Sequence, residues 1–173
     1  IKNKLALFCN VDVDSVIQSK DASTIYDVPL MMEKEKLDTV VLRKLDISNF
    51  SSTSMSNWTE FVNRLKYPKN TVNIGLIGKY VELQDSYKSI LEALVHAGSV
   101  NETKVVIHSI HSEFIDDQIN NQISKLDGVI VAPGFGSRGI EGKIKSIKYV
   151  RENNIPFLGI CLGMQMAVIE YSR

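Results

Sequence analysis

The sequence predicts an α/β protein built on parallel, doubly wound sheets. Three observations indicate this class: short apolar runs recur along the chain, segments of helical period separate them, and glycine-rich turns follow two of the runs. Right-handed crossovers bring the carboxyl ends of parallel strands to one edge of the sheet. We therefore expect the functional site at that edge.

The residues before 48 predict part of one such domain. Leu5–Cys9 is a continuous apolar run of the kind buried in a parallel sheet, and Thr39–Leu42 is a second candidate strand. A helix is expected from Pro29 to about Lys36, because proline suits a first helical turn. Since the chain opens almost on a strand, we expect it to be an internal part of a longer protein.

Residues 48–67 predict an ordered linker. Residues 48–54 are polar turn formers without a period. Ser56 can cap a short helix that ends before Pro68, and its apolar side would carry Trp58, Phe61, Val62 and Leu65. An aromatic helix of this kind needs a surface to pack on. The expected division is therefore residues 1–47, 48–67 and 68–173.

The region after the linker predicts the second α/β domain, so that the chain holds parts of two Rossmann-like domains. Strands are expected at residues 71–77, 104–110, 128–131 and 155–160. Three apolar stripes with helical spacing lie between them: Tyr87, Ile90, Leu91 and Leu94, with Asp85 as a cap; Ile115, Ile119 and Ile123; and Ile140, Ile144 and Ile147.

Composition excludes several functional classes. The chain carries 20 Lys and Arg against 20 Asp and Glu, whereas a nucleic-acid-binding protein normally has a basic excess. No apolar run approaches the roughly 20 residues of a membrane span. The chain has only two cysteines, far apart in sequence, which argues against a disulfide framework. A reducing cytoplasm is therefore the expected location. We therefore expect neither a nucleic-acid nor a membrane partner.

The strongest local signal is a nucleophile elbow with Cys161 at its centre. A buried strand leads into Gly159-Ile160-Cys161-Leu162-Gly163, and a helical segment follows. Such a turn needs small residues two positions before and after the nucleophile. The helix N-terminus suits a negatively charged sulfur, and the Leu162 N–H is free to face an oxyanion. The alternative is a buried core cysteine.

A second glycine-rich loop, residues 132–139, follows the strand at 128–131. Its glycines allow backbone N–H groups to approach an anion or a carbonyl closely, and Gly134 is the candidate donor. With an elbow on the neighbouring strand, this loop is a candidate second half of an oxyanion hole. It is not a Walker A loop, because no Gly-Lys-Ser/Thr follows at the required spacing.

The chain offers no evident catalytic base. A cysteine nucleophile that makes and breaks an acyl bond usually works with a histidine and a carboxylate. The three histidines, His96, His108 and His111, all precede Cys161. His108 and His111 bracket an expected strand end and are interpreted as structural. We therefore expect the base to lie outside this sequence, and the chain alone to be inactive.

Residues 159–165 and 133–139 resemble the class I, or triad, glutamine amidotransferases. Two further segments, 78–90 and 20–29, narrow the resemblance to the CTP synthase family. These four motifs are spread from residue 20 to residue 165. The resemblance implies that residues 1–47 end a synthetase (amidoligase) domain and that residues 68–173 begin a glutaminase domain.

The resemblance also implies an activity. The glutaminase would hydrolyse glutamine through a cysteinyl thioester, and its ammonia would displace phosphate from UTP activated by Mg-ATP, giving CTP. GTP would act as an allosteric activator. The Mg²⁺ ligands and the triad His and Glu have no counterpart in the sequence, so no metal ligand is assigned. A homotetramer is implied as well.

Site residues follow from the same resemblance. Cys161 matches the nucleophile, and Gly134 would complete the oxyanion hole with Leu162. The glutamine-binding run would be Leu162, Gly163, Met164 and Gln165. Lys4 matches a lysine that contacts the pyrimidine nucleotide, and Lys20, Asp21 and Ala22 match a stretch that contacts ATP. The loop departs from the family pattern, because Ala-Pro-Gly replaces Pro-Gly-Gly and Pro133 has no N–H to donate.

Two other interpretations stay open from the residues alone. The chain could belong to another class I amidotransferase or to a cysteine hydrolase of the same fold. It could also be a non-catalytic α/β binding module that keeps an elbow-like turn without the chemistry.

Overall fold

The computed structural model describes residues 1–49, 51, 54–115 and 119–173. The chain divides into two compact units, residues 1–66 and 67–173, and each is described by itself. Three residues of the predicted linker (Phe50, Ser52 and Thr53) lie outside the described residues, as do residues 116–118 beside the second predicted helical stripe.

The first unit is helical. Its helices are α1 (Lys2–Cys9), α2 (Val28–Lys34), α3 (Leu37–Lys44) and α4 (Ser56–Lys66). Single 3-10 turns form at Val13–Ser15 and Ile25–Asp27. The helix predicted to begin at Pro29 is confirmed as α2.

The prediction of two strands in this unit is wrong, because residues 1–49 contain no strand. Leu5–Cys9 lies in α1, because a short apolar run does not distinguish a strand from a helix and Leu and Ala are strong helix formers. Thr39–Leu42 lies in α3, whose acidic first turn and basic last turn complement the helix dipole. The second sheet that the sequence predicted is therefore absent from these residues.

Helix α4 ends before Pro68, as predicted, but Ser56, which was expected to cap it, is its first residue. The Trp58 indole N–H donates to the carbonyl oxygen of Tyr26 at 2.9 Å. The Phe61 ring lies 5.3 Å from both the Tyr26 and the Trp58 rings. Val62 is 2% exposed on the same helix. This aromatic cluster gives the helix the packing surface that the sequence required.

The second unit is a four-stranded parallel sheet, as the sequence predicted. Its strands are β1 (Asn70–Gly78), β2 (Thr103–His111), β3 (Gly128–Val131) and β4 (Phe157–Gly159), in the order β2-β1-β3-β4. All three strand pairs are parallel. Its helices are α5 (Lys88–Val100), α6 (Asn120–Ile123), α7 (Ile140–Glu152) and α8 (Leu162–Ser172).

The sheet carries apolar cores on both faces. Neighbouring residues of β1 point to opposite faces: Leu76 packs with α5 side chains, and Ile77 packs with side chains of α7 and α8. This arrangement confirms the doubly wound fold. The prediction that Asp85 caps α5 is wrong. Asp85 lies in a 3-10 turn at Gln84–Tyr87, and Tyr87 is the N-cap residue of α5.

The strand order creates a switch point between β1 and β3. From β1 the chain moves to one side, to β2, and from β3 it moves to the other side, to β4. Ligands of open α/β sheets bind in the crevice beyond the carboxyl ends of the strands at such a point. Among the described residues, no helix is long and apolar enough to cross a membrane.

Candidate active site

Cys161 lies at the turn between β4 and α8. Its backbone has φ 51° and ψ −105°, a conformation that residues with a side chain rarely adopt. Cys161 is the N-cap residue of α8, and it is exposed. The thiol is therefore accessible to a reactant, which argues against the alternative of a buried core cysteine.

The two glycines that frame Cys161 are required by close backbone contacts. A Cβ atom at Gly159 would lie 2.6 Å from the Met164 nitrogen. A Cβ atom at Gly163 would lie 2.1 Å from the Val131 carbonyl oxygen. Only a hydrogen fits at either position, so the turn has the geometry that the spacing of the glycines predicted.

The first turn of α8 leaves an N–H group for a ligand. Gly163 donates to the Ile160 carbonyl at 2.9 Å, and Gln165 donates to the Cys161 carbonyl at 3.1 Å. Leu162 is the first residue of the helix, so its N–H has no acceptor within the helix. Met164 and Gln165 follow on exposed positions of the same turn.

The structure brings Gly134 next to this turn. A Cβ atom at Gly134 would lie 3.7 Å from the Leu162 Cδ2 atom, which is ordinary van der Waals contact. Gly134 and Leu162, the two residues predicted to form the oxyanion hole, therefore lie side by side. In the same loop Gly136 has φ +74°, which favours glycine.

Two lysines beneath this loop were missed by the sequence analysis. Lys143 on α7 is 1% exposed, and its Nζ atom donates to the Ala132 carbonyl at 2.7 Å. Lys79 follows β1, is 6% exposed, and donates to the Phe135 carbonyl. The available signal was their position: Lys79 directly follows a buried strand, and Lys143 lies beside the apolar stripe of α7.

Burial is the main cause that lowers the pKa of Lys143, to about 8. The positive charge of Lys79 lowers this pKa further, and Cys161 acts in the opposite direction. A cation at this depth with a second cation beside it is unusual, since buried charges normally have an opposite charge as a partner.

The histidines lie away from Cys161. His108 and His111 are on β2, which β1 and β3 separate from β4. A ring nitrogen of His108 lies 3.0 Å from the Asn73 Oδ1 atom, and the His111 ring packs 4.5 Å from that of Phe114. His96 is on α5, which packs against β2. These positions agree with the structural interpretation of His108 and His111.

The predicted nucleotide-binding residues lie in the first unit. Lys4 is exposed on α1, with its Nζ atom 5.9 Å from the centre of the Phe8 ring. Lys20, Asp21 and Ala22 are exposed in an irregular segment.

Comparison with known families agrees with the geometry of the site. The family described as "Glutamine amidotransferase class-I" matches residues 82–173, and "CTP synthase N-terminus" matches residues 1–47. The glutaminase domain of Trypanosoma brucei CTPS with bound acivicin has a similar structure, with a TM-score of 0.56 and 37% identity. That similarity covers 59% of this chain and 40% of the trypanosome chain.

The chain belongs to the class I glutamine amidotransferases, whose family match covers more than half of its residues. Within that class it belongs with the CTP synthases. The CTP synthase of Flavobacterium johnsoniae is 65% identical over the whole chain, and that of Methanocaldococcus jannaschii is 52% identical. The chain spans about a third of the length of these relatives, 32% and 33%.

Proposed function

We propose that this chain supplies the nucleophile and part of the oxyanion hole for the hydrolysis of glutamine, within an enzyme that converts UTP to CTP. The observation that carries the proposal is the exposed Cys161 thiol on a glycine-framed turn, with Gly134 and the Leu162 N–H beside it. An accessible cysteine at a strained backbone position suits nucleophilic attack and has no evident structural purpose.

In the proposed reaction the Cys161 thiolate attacks the side-chain amide carbon of glutamine. A C–S bond forms, and the carbonyl π electrons move to oxygen to give a tetrahedral oxyanion. Collapse of this intermediate breaks the C–N bond as the nitrogen takes up a proton, so that ammonia leaves and a thioester remains. Water then attacks the thioester, releasing glutamate and restoring the thiol.

The oxyanion would lie between the two glycine-rich turns. The Leu162 N–H at the start of α8 is one donor, and the helix N-terminus adds a favourable electrostatic field. The loop at Gly134 would provide the other donor. Gly163, Met164 and Gln165 would continue the binding surface for the amino-acid part of glutamine.

For the whole protein we propose the activity of its relatives' family, with ATP, UTP and glutamine as substrates and GTP as activator. Residues 1–47 would end the synthetase domain, with Lys4 near the pyrimidine nucleotide and Lys20–Ala22 near ATP. Residues 48–67 would be the linker, and residues 68–173 would begin the glutaminase. A homotetramer in the cytoplasm, without nucleic-acid or membrane partners, completes the proposal.

The family implies Mg²⁺, and the described residues do not offer a site for it. Within residues 1–49, 51, 54–115 and 119–173, no group of three or more His, Cys, Asp and Glu side chains is placed to hold a metal ion.

The test is Cys161→Ala in the native full-length protein. We expect CTP formation from glutamine to be lost, while formation from added ammonia persists, because ammonia bypasses the thiol. Cys9→Ala is the matched control, since Cys9 is an exposed thiol on α1, and it should leave both activities unchanged. Glutamine-dependent synthesis by Cys161→Ala would show that the nucleophile is a different residue.

The 173-residue chain permits a second test. Acivicin, the compound bound to the trypanosome glutaminase domain, should label Cys161 and leave Cys9 unlabelled, as peptide mass spectrometry would show. The chain itself should not turn over glutamine, because no described histidine lies near Cys161. Steady glutamate release by the chain alone would contradict the need for an external base.

A further inference from the structure

Two buried ammonium groups hold the loop that faces Cys161. Lys143 and Lys79 are almost fully buried, and each donates to a backbone carbonyl of the same loop, Ala132 and Phe135 respectively. Lys143 comes from α7 and Lys79 from the end of β1, so two separate elements tie the loop down. Neither lysine has a carboxylate partner among its described hydrogen bonds and ion pairs.

The surroundings of Lys143 contain no carboxylate that would balance its positive charge among its described hydrogen bonds and ion pairs. The titratable groups that act on it are Lys79, which disfavours its charged form, and Cys161, which favours it. Gly134 lies close to both lysines, since a Cβ atom there would be 3.5 Å from Lys79 Cε and 3.6 Å from Lys143 Nζ. Positive charge in excess therefore lies where the proposed reaction creates negative charge.

We propose that Lys143, with Lys79 beside it, is a positioning residue for the glutaminase reaction: it fixes the oxyanion loop through the Ala132 carbonyl and keeps a positive charge next to Cys161. This inference rests on the function proposed above. The ammonium groups would act through the loop and through their charge, because both are buried close to Gly134 and each is bonded to a backbone carbonyl of the loop.

The hydrogen bonds of the lysines also set the direction of loop donors. In a trans peptide the C=O and N–H groups point in opposite directions. The Phe135 carbonyl points to Lys79, so the Gly136 N–H of that peptide points away from Lys79. Pro133 offers no N–H, so the loop has one donor fewer than a glycine at that position would give.

The experiment measures inactivation by acivicin in the native full-length protein, with labelling located at Cys161 by peptide mapping. Lys143→Met, which keeps length and removes the charge, should lower the limiting rate about ten-fold or more at neutral pH and change the half-saturating concentration less than about three-fold. Lys143→Arg should restore the rate to within about three-fold of the wild type, because it stays charged. Lys148→Met, an exposed lysine on the same helix, is the matched control and should behave as the wild type.

The pH profile distinguishes charge from structure. The wild-type limiting rate should fall as the pH rises above about 8, where Lys143 loses its proton. Lys143→Arg should keep its rate through that range. If Lys143→Met does not fold, the comparison of the wild type with Lys143→Arg is sufficient as a test. The same fall in the limiting rate above about pH 8 in both proteins would overturn the proposal.

Other outcomes are equally decisive. Wild-type reaction rates in a folded Lys143→Met, or no rescue in a folded Lys143→Arg, would refute the role of the charge. Failure of acivicin to label Cys161 in the wild type would instead contradict the proposed function itself. The two failures are therefore distinguishable.

Discussion

The Val131 carbonyl oxygen and the Cα of Gly163 approach so closely that a methyl group at Gly163 would lie 2.1 Å from that oxygen. The same carbonyl accepts the Ile160 N–H at 3.0 Å. The end of β3 therefore contacts both the residue before the nucleophile and the helix after it. This contact determines where the Cys161 turn lies relative to the sheet.

Gly163→Ala should both destabilise the second unit and displace Cys161. The clash is with backbone atoms that cannot move independently, so we expect a loss of about 2–4 kcal/mol in the free energy of unfolding. Urea denaturation of the 173-residue chain measures the loss, and acivicin labelling should slow in parallel.

Gly134→Ala is the steric control for this stability measurement. Its methyl group would have no neighbour nearer than 3.5 Å and its backbone has no positive φ, so the free energy of unfolding should change by less than about 1 kcal/mol. Equal destabilisation by the two variants would contradict the close contact at Gly163.

Lys143 should make stability depend on alkaline pH. Its pKa is about 8 in the folded protein and near 10.5 when unfolded, so the unfolded chain binds more protons between these values. The free energy of unfolding should therefore rise by about 3 kcal/mol over that range, relative to Lys143→Met. Below about pH 8 the cost of burying the charge is fully present. Denaturation curves of both proteins at several pH values test this, and a constant difference would contradict it.

Glu170→Gln should break a bidentate ion pair between α8 and α7. Arg151 donates to the two Glu170 oxygens at 2.9 and 2.7 Å, and the Glu170 side chain is 5% exposed. We expect a loss of about 1–3 kcal/mol near neutral pH, because the amide cannot accept both bonds.

The same pair has an acid limit. The Arg151 hydrogen bonds lower the pKa of Glu170 below 4.5, so its stabilisation is present above the ordinary value and is lost as the pH falls through the folded value. The difference between wild type and Glu170→Gln should therefore shrink in acid. Glu141→Gln, in the exposed pair with Arg173, should have no measurable effect. An equal effect of the two substitutions would contradict the importance of burial.

Trp58→Phe should weaken the first unit modestly. It keeps an aromatic ring beside Tyr26 and Phe61 and removes the N–H that bonds the Tyr26 carbonyl at 2.9 Å, so we expect a loss of about 1 kcal/mol. Trp58→Ala removes the ring as well and should cost about 3 kcal/mol or more. Thermal melting followed by circular dichroism compares them, and identical losses would mean that the ring contributes nothing.

The sheet and the turn at Cys161 were predictable because their signals are local. Four apolar runs matched β1 to β4. Only β3 is buried along its whole length, as an uninterrupted apolar segment predicts, whereas β4, expected to be a buried strand, has no buried residue. The glycines two residues before and after Cys161 are visible in the sequence, and both are required because a side chain at either position would clash with the backbone.

The rest depends on contacts between distant residues. Leu5–Cys9 has the composition of a buried strand, and its helical state is set by contacts that periodicity does not reveal. Lys79 and Lys143 are 64 positions apart, and only the fold places both beneath the loop at Ala132. A lysine in an amphipathic helix is ordinarily solvated, so the position of Lys143 beside the apolar stripe of α7 was too weak a signal to predict its burial.

The backbone at residue 161 is one that glycine would occupy without strain and that any side chain occupies at a cost of about 1–2 kcal/mol. Replacing Cys161 with glycine should therefore raise the free energy of unfolding by a similar amount while it removes the thiol. In a protein that did not need the thiol for the proposed hydrolysis of glutamine, glycine would be the more stable residue at this position. Glycine at the corresponding position of a related sequence would therefore indicate that the relative uses no cysteine nucleophile there.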